Sequence, residues 1–148
     1  MKVTLNHFLD NPILIIMAKW PGFGRGKSRL SINIGKHNAL SIQKNMLRHT
    51  ISVSKFLERE GHLDILLATS GIGFKSSQRW CKKLGLKNFS LQGRGSLGEK
   101  MRRQILINNR YILNNDKKDY LIIGTDLPDL CHLDLLEAIS KVKKNDIV

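Results

Sequence analysis

Cysteine is scarce in this chain: Cys81 and Cys131 are the only two, and they show no metal-ligand spacing. A disulfide framework is thereby excluded, and both read as free thiols suited to a reducing compartment. Long apolar runs are also lacking. The first, Ile13 to Ala18, is too short to cross a membrane or to form the apolar core of a signal peptide, and Lys2 is followed by polar residues. Cytoplasm is the expected location. Aromatic residues make up 6% of the chain, too few to interleave with the basic residues as base-stacking modules require. No specific nucleic-acid partner is expected on that ground. His7, His37, His49, His62 and His132 never pair at metal spacing, and no G-x-S-x-G or Cys/His arrangement suggests covalent catalysis. Acidic residues are in deficit as well: 12 Asp and Glu face 25 Lys and Arg, a formal charge of +13. Such a charge favours polyanionic partners, nucleotides among them, although the basic residues are spread along the whole chain.

What the chain does contain is enough for one domain of 148 residues with a real core and no staples. Short apolar runs alternate with helical periodicities. Ile13 to Ala18, Leu63 to Thr69, Asn88 to Leu91 and Tyr120 to Thr125 read as strands. Between them, Ala39, Ile42, Met46, Thr50, Val53 and Leu57 mark a helix from about Lys36 to Arg59. Phe74 to Leu84 reads as a second helix, with Trp80 and Leu84 inward. Ser96 and Glu99 have the spacing of a capping box. They open a helix with Leu97, Met101, Ile105 and Ile112 on its buried face, running to about Asn114. Leu133, Leu136, Ile139 and Val142 form a last helical stripe, and Asp146-Ile147-Val148 looks like the start of a further strand. Strands alternating with helices predict an α/β architecture around a mostly parallel sheet.

Ligands of open parallel sheets bind beyond the carboxyl ends of the strands, and two loops at such ends carry chemistry. After the first strand the chain turns through Gly22, Gly24 and Gly26, with Arg25, Lys27 and Arg29 beside them. Missing Cβ atoms let backbone N–H groups approach a phosphate, which the cations neutralise. After the fourth apolar run comes Gly124-Thr125-Asp126-Leu127-Pro128. Asp126 could hold a divalent cation that also ligates a diphosphate, or it could be a turn carboxylate before Pro128. Gly26-Lys27-Ser28 imitates the end of an NTPase phosphate loop, but its first glycine would have to stand where Pro21 does.

Three segments together, MAKWPGFGRGKSRL (Met17 to Leu30), QGRGSLGEKM (Gln92 to Met101) and LIIGTDLPDL (Leu121 to Leu130), resemble a bacterial family of candidate glycosyltransferases. That family was long catalogued as a domain of unknown function of the DUF2064 type and belongs to the nucleotide-diphospho-sugar transferase superfamily. The resemblance covers about Pro12 to Val148. It implies a GT-A-like, Rossmann-like three-layer sandwich, and metal-dependent transfer of a sugar from a nucleoside-diphosphate donor to an unknown acceptor. Guanylyltransferase-like nucleotidyl transfer is the alternative, as is a non-catalytic nucleotide-binding remnant. By resemblance, Met17, Ala18 and Lys19 line the base and ribose; Gly24, Arg25, Lys27 and Arg29 cover the diphosphate. Asp126 holds Mg²⁺ or Mn²⁺ in a turn shaped by Thr125 and Pro128. Asp126, Lys27 and Arg25 are the expected catalytic residues. Gln92, Gly98, Glu99 and Met101 match the middle motif, whose role the resemblance leaves open, with Gly98 placed among the nucleotide-binding positions.

Two departures from the family pattern carry expectations. Cys131 stands where Thr or Ser is usual, and Cys is a poor N-cap, so a loosely fixed helix start is expected there. The pattern also continues beyond Val148 with a D-G-G-aromatic motif. A domain incomplete at its C-terminus, lacking the usual last strands, is therefore expected, with an exposed sheet edge open to self-association.

Overall fold

The uninterrupted apolar stretches Ile13 to Ala18 and Ile65 to Ala68 suit strands covered on both faces. In the computed structural model, which describes residues 11–22, 28–109 and 118–145, they lie side by side at the centre of the sheet. Four strands, β1 (Ile13–Lys19), β2 (Asp64–Ser70), β3 (Asn88–Leu91) and β4 (Tyr120–Ile123), run parallel in the order β3-β2-β1-β4. The helices are α1 (Ser28–Ile34), α2 (Lys36–Arg59), α3 (Phe74–Lys83), α4 (Leu97–Asn109) and α5 (His132–Val142).

Alternation along the strands sorts side chains into two cores. Leu14, Ile16, Ile65, Leu67 and Leu121 pack against Leu47 and Leu57 of α2, Trp80 of α3, and Leu135 and Ile139 of α5. The neighbours Ile13, Ile15, Leu66 and Ala68 face the other way, toward Ile105 of α4. Helices therefore cover both faces of the sheet, and the expected three-layer α/β arrangement is the one found. The topology explains the sorting. The path from β1 to β2 steps one way across the sheet, the path from β3 to β4 steps back past β1, and right-handed crossovers then put α2 and α4 on opposite faces.

Several expectations need correction. Helix α1 falls where only a loop is legible in the sequence; it packs on α2 and is separated from it by Gly35, whose φ of 81° no regular helix contains. Strand β4 stops at Ile123, two residues before Thr125, because its ladder with β1 ends at the pair Ile16 and Ile123. Leu97 is 65% exposed and Leu133 62%, so neither joins a buried stripe. Leu97 opens α4, whose core contact comes further along at Ile105, and Leu133 stands about 160° round α5 from the buried Leu135. Ile112, Asn114 and the strand expected at Asp146 to Val148 lie outside the described residues. The start of α5 is firmer than Cys131 alone would make it. Asp134, three residues on, accepts a 2.8 Å hydrogen bond from the Cys131 N–H, and that bond holds the Asp134 carboxyl below the usual carboxylate range.

Candidate functional site at the carboxyl rim of the sheet

β1 is the strand at which the connections diverge, and the crevice between the carboxyl ends of β1 and β4 is the switch point of the sheet. Three residues past their last pair, Ile16 and Ile123, stand Lys19 at the end of β1 and Asp126 in the turn beyond β4, both exposed. A cation and a carboxylate thus follow neighbouring strands onto one rim. Ala18 is buried in the core, and Met17 is partly buried on the α4 face, so of the three residues expected to line the nucleotide Lys19 is the outward one. Arg29 is exposed at the start of α1. Gly24, Arg25 and Lys27 lie outside the described residues.

The turn that carries Asp126 is held from behind. His49 Nε2, on α2, donates a 2.8 Å hydrogen bond to the Leu130 carbonyl, and the Leu130 N–H donates to the Leu127 carbonyl at 3.3 Å. Thr125 is partly buried and Pro128 exposed. Among the described residues no three His, Cys, Asp or Glu side chains group as a metal cage. Asp126 brings one exposed carboxylate to the rim beyond the end of β4.

The middle motif proves to be a built turn. Gln92 is buried, and its side-chain amide donates to the Ala68 carbonyl at 2.8 Å and to the Ala18 carbonyl at 3.4 Å. Its backbone N–H reaches the Thr69 carbonyl at 2.9 Å. One residue after β3 thereby ties the carboxyl ends of β1 and β2 together. Gly93 (φ 73°) and Gly95 (φ 114°) then turn the chain through backbone conformations that side chains rarely adopt, with the tips of Arg103 and Glu99 close by. Arg103 Nη1 donates to the Gln92 carbonyl and Nη2 to the Arg94 carbonyl at 2.9 Å. Glu99 accepts from the Ser96 N–H at 2.7 Å and from its hydroxyl at 2.8 Å, while the Glu99 N–H donates to Ser96 Oγ at 3.3 Å. The expected capping box is present, and these bonds hold the Glu99 carboxyl below the usual range. Gly98 is exposed in the first turn of α4, with open space where a Cβ would stand. Arg103 is the residue sequence reading missed; the signal available was its spacing, one helical turn beyond Glu99.

A parallel sheet with this order and helices on both faces defines the doubly wound α/β class of folds. Within that class the comparisons are specific. The family described as "Uncharacterized protein conserved in bacteria (DUF2064)" matches residues 54–148, and the chain belongs to that family. No curated protein matches. Among solved structures, the chain is similar to a crystal structure described as a "putative nucleotide-diphospho-sugar transferase" from Desulfovibrio desulfuricans G20. Identity is 19% and the TM-score 0.75, over 89% of this chain and 54% of that one. The chain thus spans about half the length of that structure, with which it shares the fold.

Proposed function

We propose that the rim binds a nucleoside-diphosphate sugar and that the chain is a glycosyltransferase-like domain of its family. The observation that carries this reading is the placement of the three sequence motifs. Met17 to Leu30, Gln92 to Met101 and Leu121 to Leu130 begin on β1, just after β3 and on β4, and all run out at the carboxyl rim where α/β folds hold nucleotides. The neighbour's description as a transferase of this kind supports the same assignment.

In the proposed reaction an acceptor hydroxyl oxygen forms a bond to the anomeric carbon, its proton passing to water, as the bond from that carbon to the β-phosphate oxygen breaks. The electron pair leaves with the nucleoside diphosphate. Arg25, Lys27, Lys19 and Arg29 supply positive charge where that negative charge grows, which is worth most in the transition state. Asp126 and the diphosphate oxygens would hold Mg²⁺ or Mn²⁺, which adds charge neutralisation at the leaving group. Gln92 keeps the β1 and β2 ends in register, so that the strand feeding the cationic loop cannot drift from its neighbour.

Thermal unfolding with UDP- and GDP-sugars, with and without Mn²⁺, tests the assignment. A nucleotide-dependent rise in melting temperature is expected, together with loss of its Mn²⁺-dependent part in Asp126→Ala. The absence of a shift with any nucleotide sugar would sink it. Release of pyrophosphate from a nucleoside triphosphate mixed with a sugar phosphate, with no nucleoside diphosphate released from nucleotide sugars, would convert the reading to nucleotidyl transfer.

A further inference from the structure

A cleft of about 690 Å³ lies between α2 and α3 on the larger core's side and reaches Trp20 and Pro21, just past the end of β1. Its apolar wall is Leu47, Ile51, Trp80 and Leu84, and Trp20 enters from the end of β1 to meet Trp80 edge to face at 5.0 Å. Its rim is cationic. Lys44, Arg48, Lys55 and Arg59 on α2 fall within about 60° of helical arc and extend over about 22 Å. Lys83 of α3 adds a fifth cation. No carboxylate lines the cleft, and none pairs with these five residues among those described. Glu58, the single acidic residue of α2, is occupied with the Ile65 N–H at 3.3 Å. Like charges spaced four apart on a helix destabilise it, so an uncompensated row of them is a cost that an anion would relieve.

We propose that this cleft binds single-stranded nucleic acid without sequence preference. The row of cations is extended, matching a chain of phosphates more closely than one compact anion would. The partly exposed Trp20 at its end offers a surface for a base to stack on. Sparse aromatics in the sequence argue against such a partner only while Trp20 and Trp80 are counted as distant; the fold brings them together amid the basic residues. Trp20 and Pro21 belong to the first rim motif but no cleft cation does, so the cation variants test this proposal apart from the nucleotide-sugar reading.

Fluorescence anisotropy of a labelled oligothymidylate 15-mer, titrated from 50 to 200 mM salt, tests it. With five phosphate contacts the affinity should fall about 100-fold over that range, a log–log slope near −3.5. Arg48→Gln/Arg59→Gln should reduce the fall to about 20-fold. Lys143→Gln/Lys144→Gln, which removes equal charge from the exposed end of α5, should leave it unchanged. The oligonucleotide should quench tryptophan emission in the native chain and not in Trp20→Phe, and a nucleotide sugar should not displace it. No binding at 50 mM salt overturns the proposal. So do equal losses in the two double variants, which would assign binding to overall charge. Inorganic polyphosphate binding as tightly, with the oligonucleotide leaving Trp20 unquenched, also overturns it in favour of a bare phosphate track.

Discussion

The two faces of the sheet are built by different rules. Under α2, α3 and α5 a large apolar cluster runs from Leu14 and Leu67 to Trp80 and Ile139, three helices share the covering, and its buried hydroxyls bond locally or, as Thr69 to Ser77 at 2.7 Å, across to α3. Under α4 the apolar cluster is small, and at its centre sits an amide. Gln104 is fully buried; its Oε1 accepts from the Ser90 hydroxyl and its Nε2 donates to the Leu91 carbonyl at 3.1 Å. The first face holds the domain together by area removed from water. The second fixes where α4 sits, because an amide pinned to two groups of β3 tolerates no slip along the strand. The difference matters for function, since α4 begins at the turn that Gln92, Arg103 and Glu99 assemble on the rim.

The sharpest test of this contrast uses adjacent residues on β1. Leu14 and Ile15 are both fully buried and face opposite ways. Leu14→Ala should cost about 4 kcal/mol in urea unfolding, because three helices hold the cavity open. Ile15→Ala should cost about 2 kcal/mol, because a single helix can settle into the gap. Equal losses would remove the distinction. Next in size, Gln104→Leu should cost about 2 kcal/mol despite its apolar character, since it leaves the Leu91 carbonyl and the Ser90 hydroxyl without their partner. A neutral or stabilising result would show that the amide is not what positions α4.

Smaller again is Arg103→Lys, which keeps the charge and loses the fork that spans two carbonyls. A loss of about 1 kcal/mol is expected, together with weaker nucleotide-sugar protection of the rim in hydrogen exchange. The least costly probe is alkaline titration of the two faces. Burial, with Glu58 adding to it, pushes the Cys81 thiol on the larger face up to about 11; burial pushes Tyr120 on the α4 face up to about 12. In both the folded chain keeps its proton longer than the unfolded chain does. Their contribution is complete below the unfolded values and drains away as pH rises, from about 9 to 11 for Cys81 and from about 10 to 12 for Tyr120. Cys81→Ala should remove the earlier phase of alkaline destabilisation and leave the later one. A single phase unchanged by that substitution would refute the assignment.

Much of the fold is legible in the residues because burial writes its period into them. The apolar runs of β1 and β2, the Lys36–Arg59 helix and the Ser96/Glu99 capping box are found where their patterns place them. The misreadings are local. Leu97 opens α4 before the helix reaches the smaller core at Ile105, Leu133 faces away from the buried Leu135, and α1 is too short for a period to declare itself. Periodicity tells which side of a helix is apolar and nothing about where the neighbouring layer stops. The candidate site divides in the same way. Asp126 was legible as an acidic residue at a strand's end, whereas Gln92 and Arg103 show their purpose only when the carbonyls they hold are in place.

Sequence alone therefore determined the parallel α/β character of this protein, the positions of its three motifs and its family, since all of these are local patterns along the chain. Tertiary structure decided which motif residues build the turn and which reach the rim. The middle motif, open in meaning as a string, is a brace, with its glycines required by the positive φ of the turn that Arg103 and Glu99 hold. Tertiary structure also decided that two tryptophans sixty positions apart share a cleft edged with cations. The physical reason is common to both: hydrogen-bond partners and charge clusters join residues distant in the chain, and only the packed sheet brings them within reach.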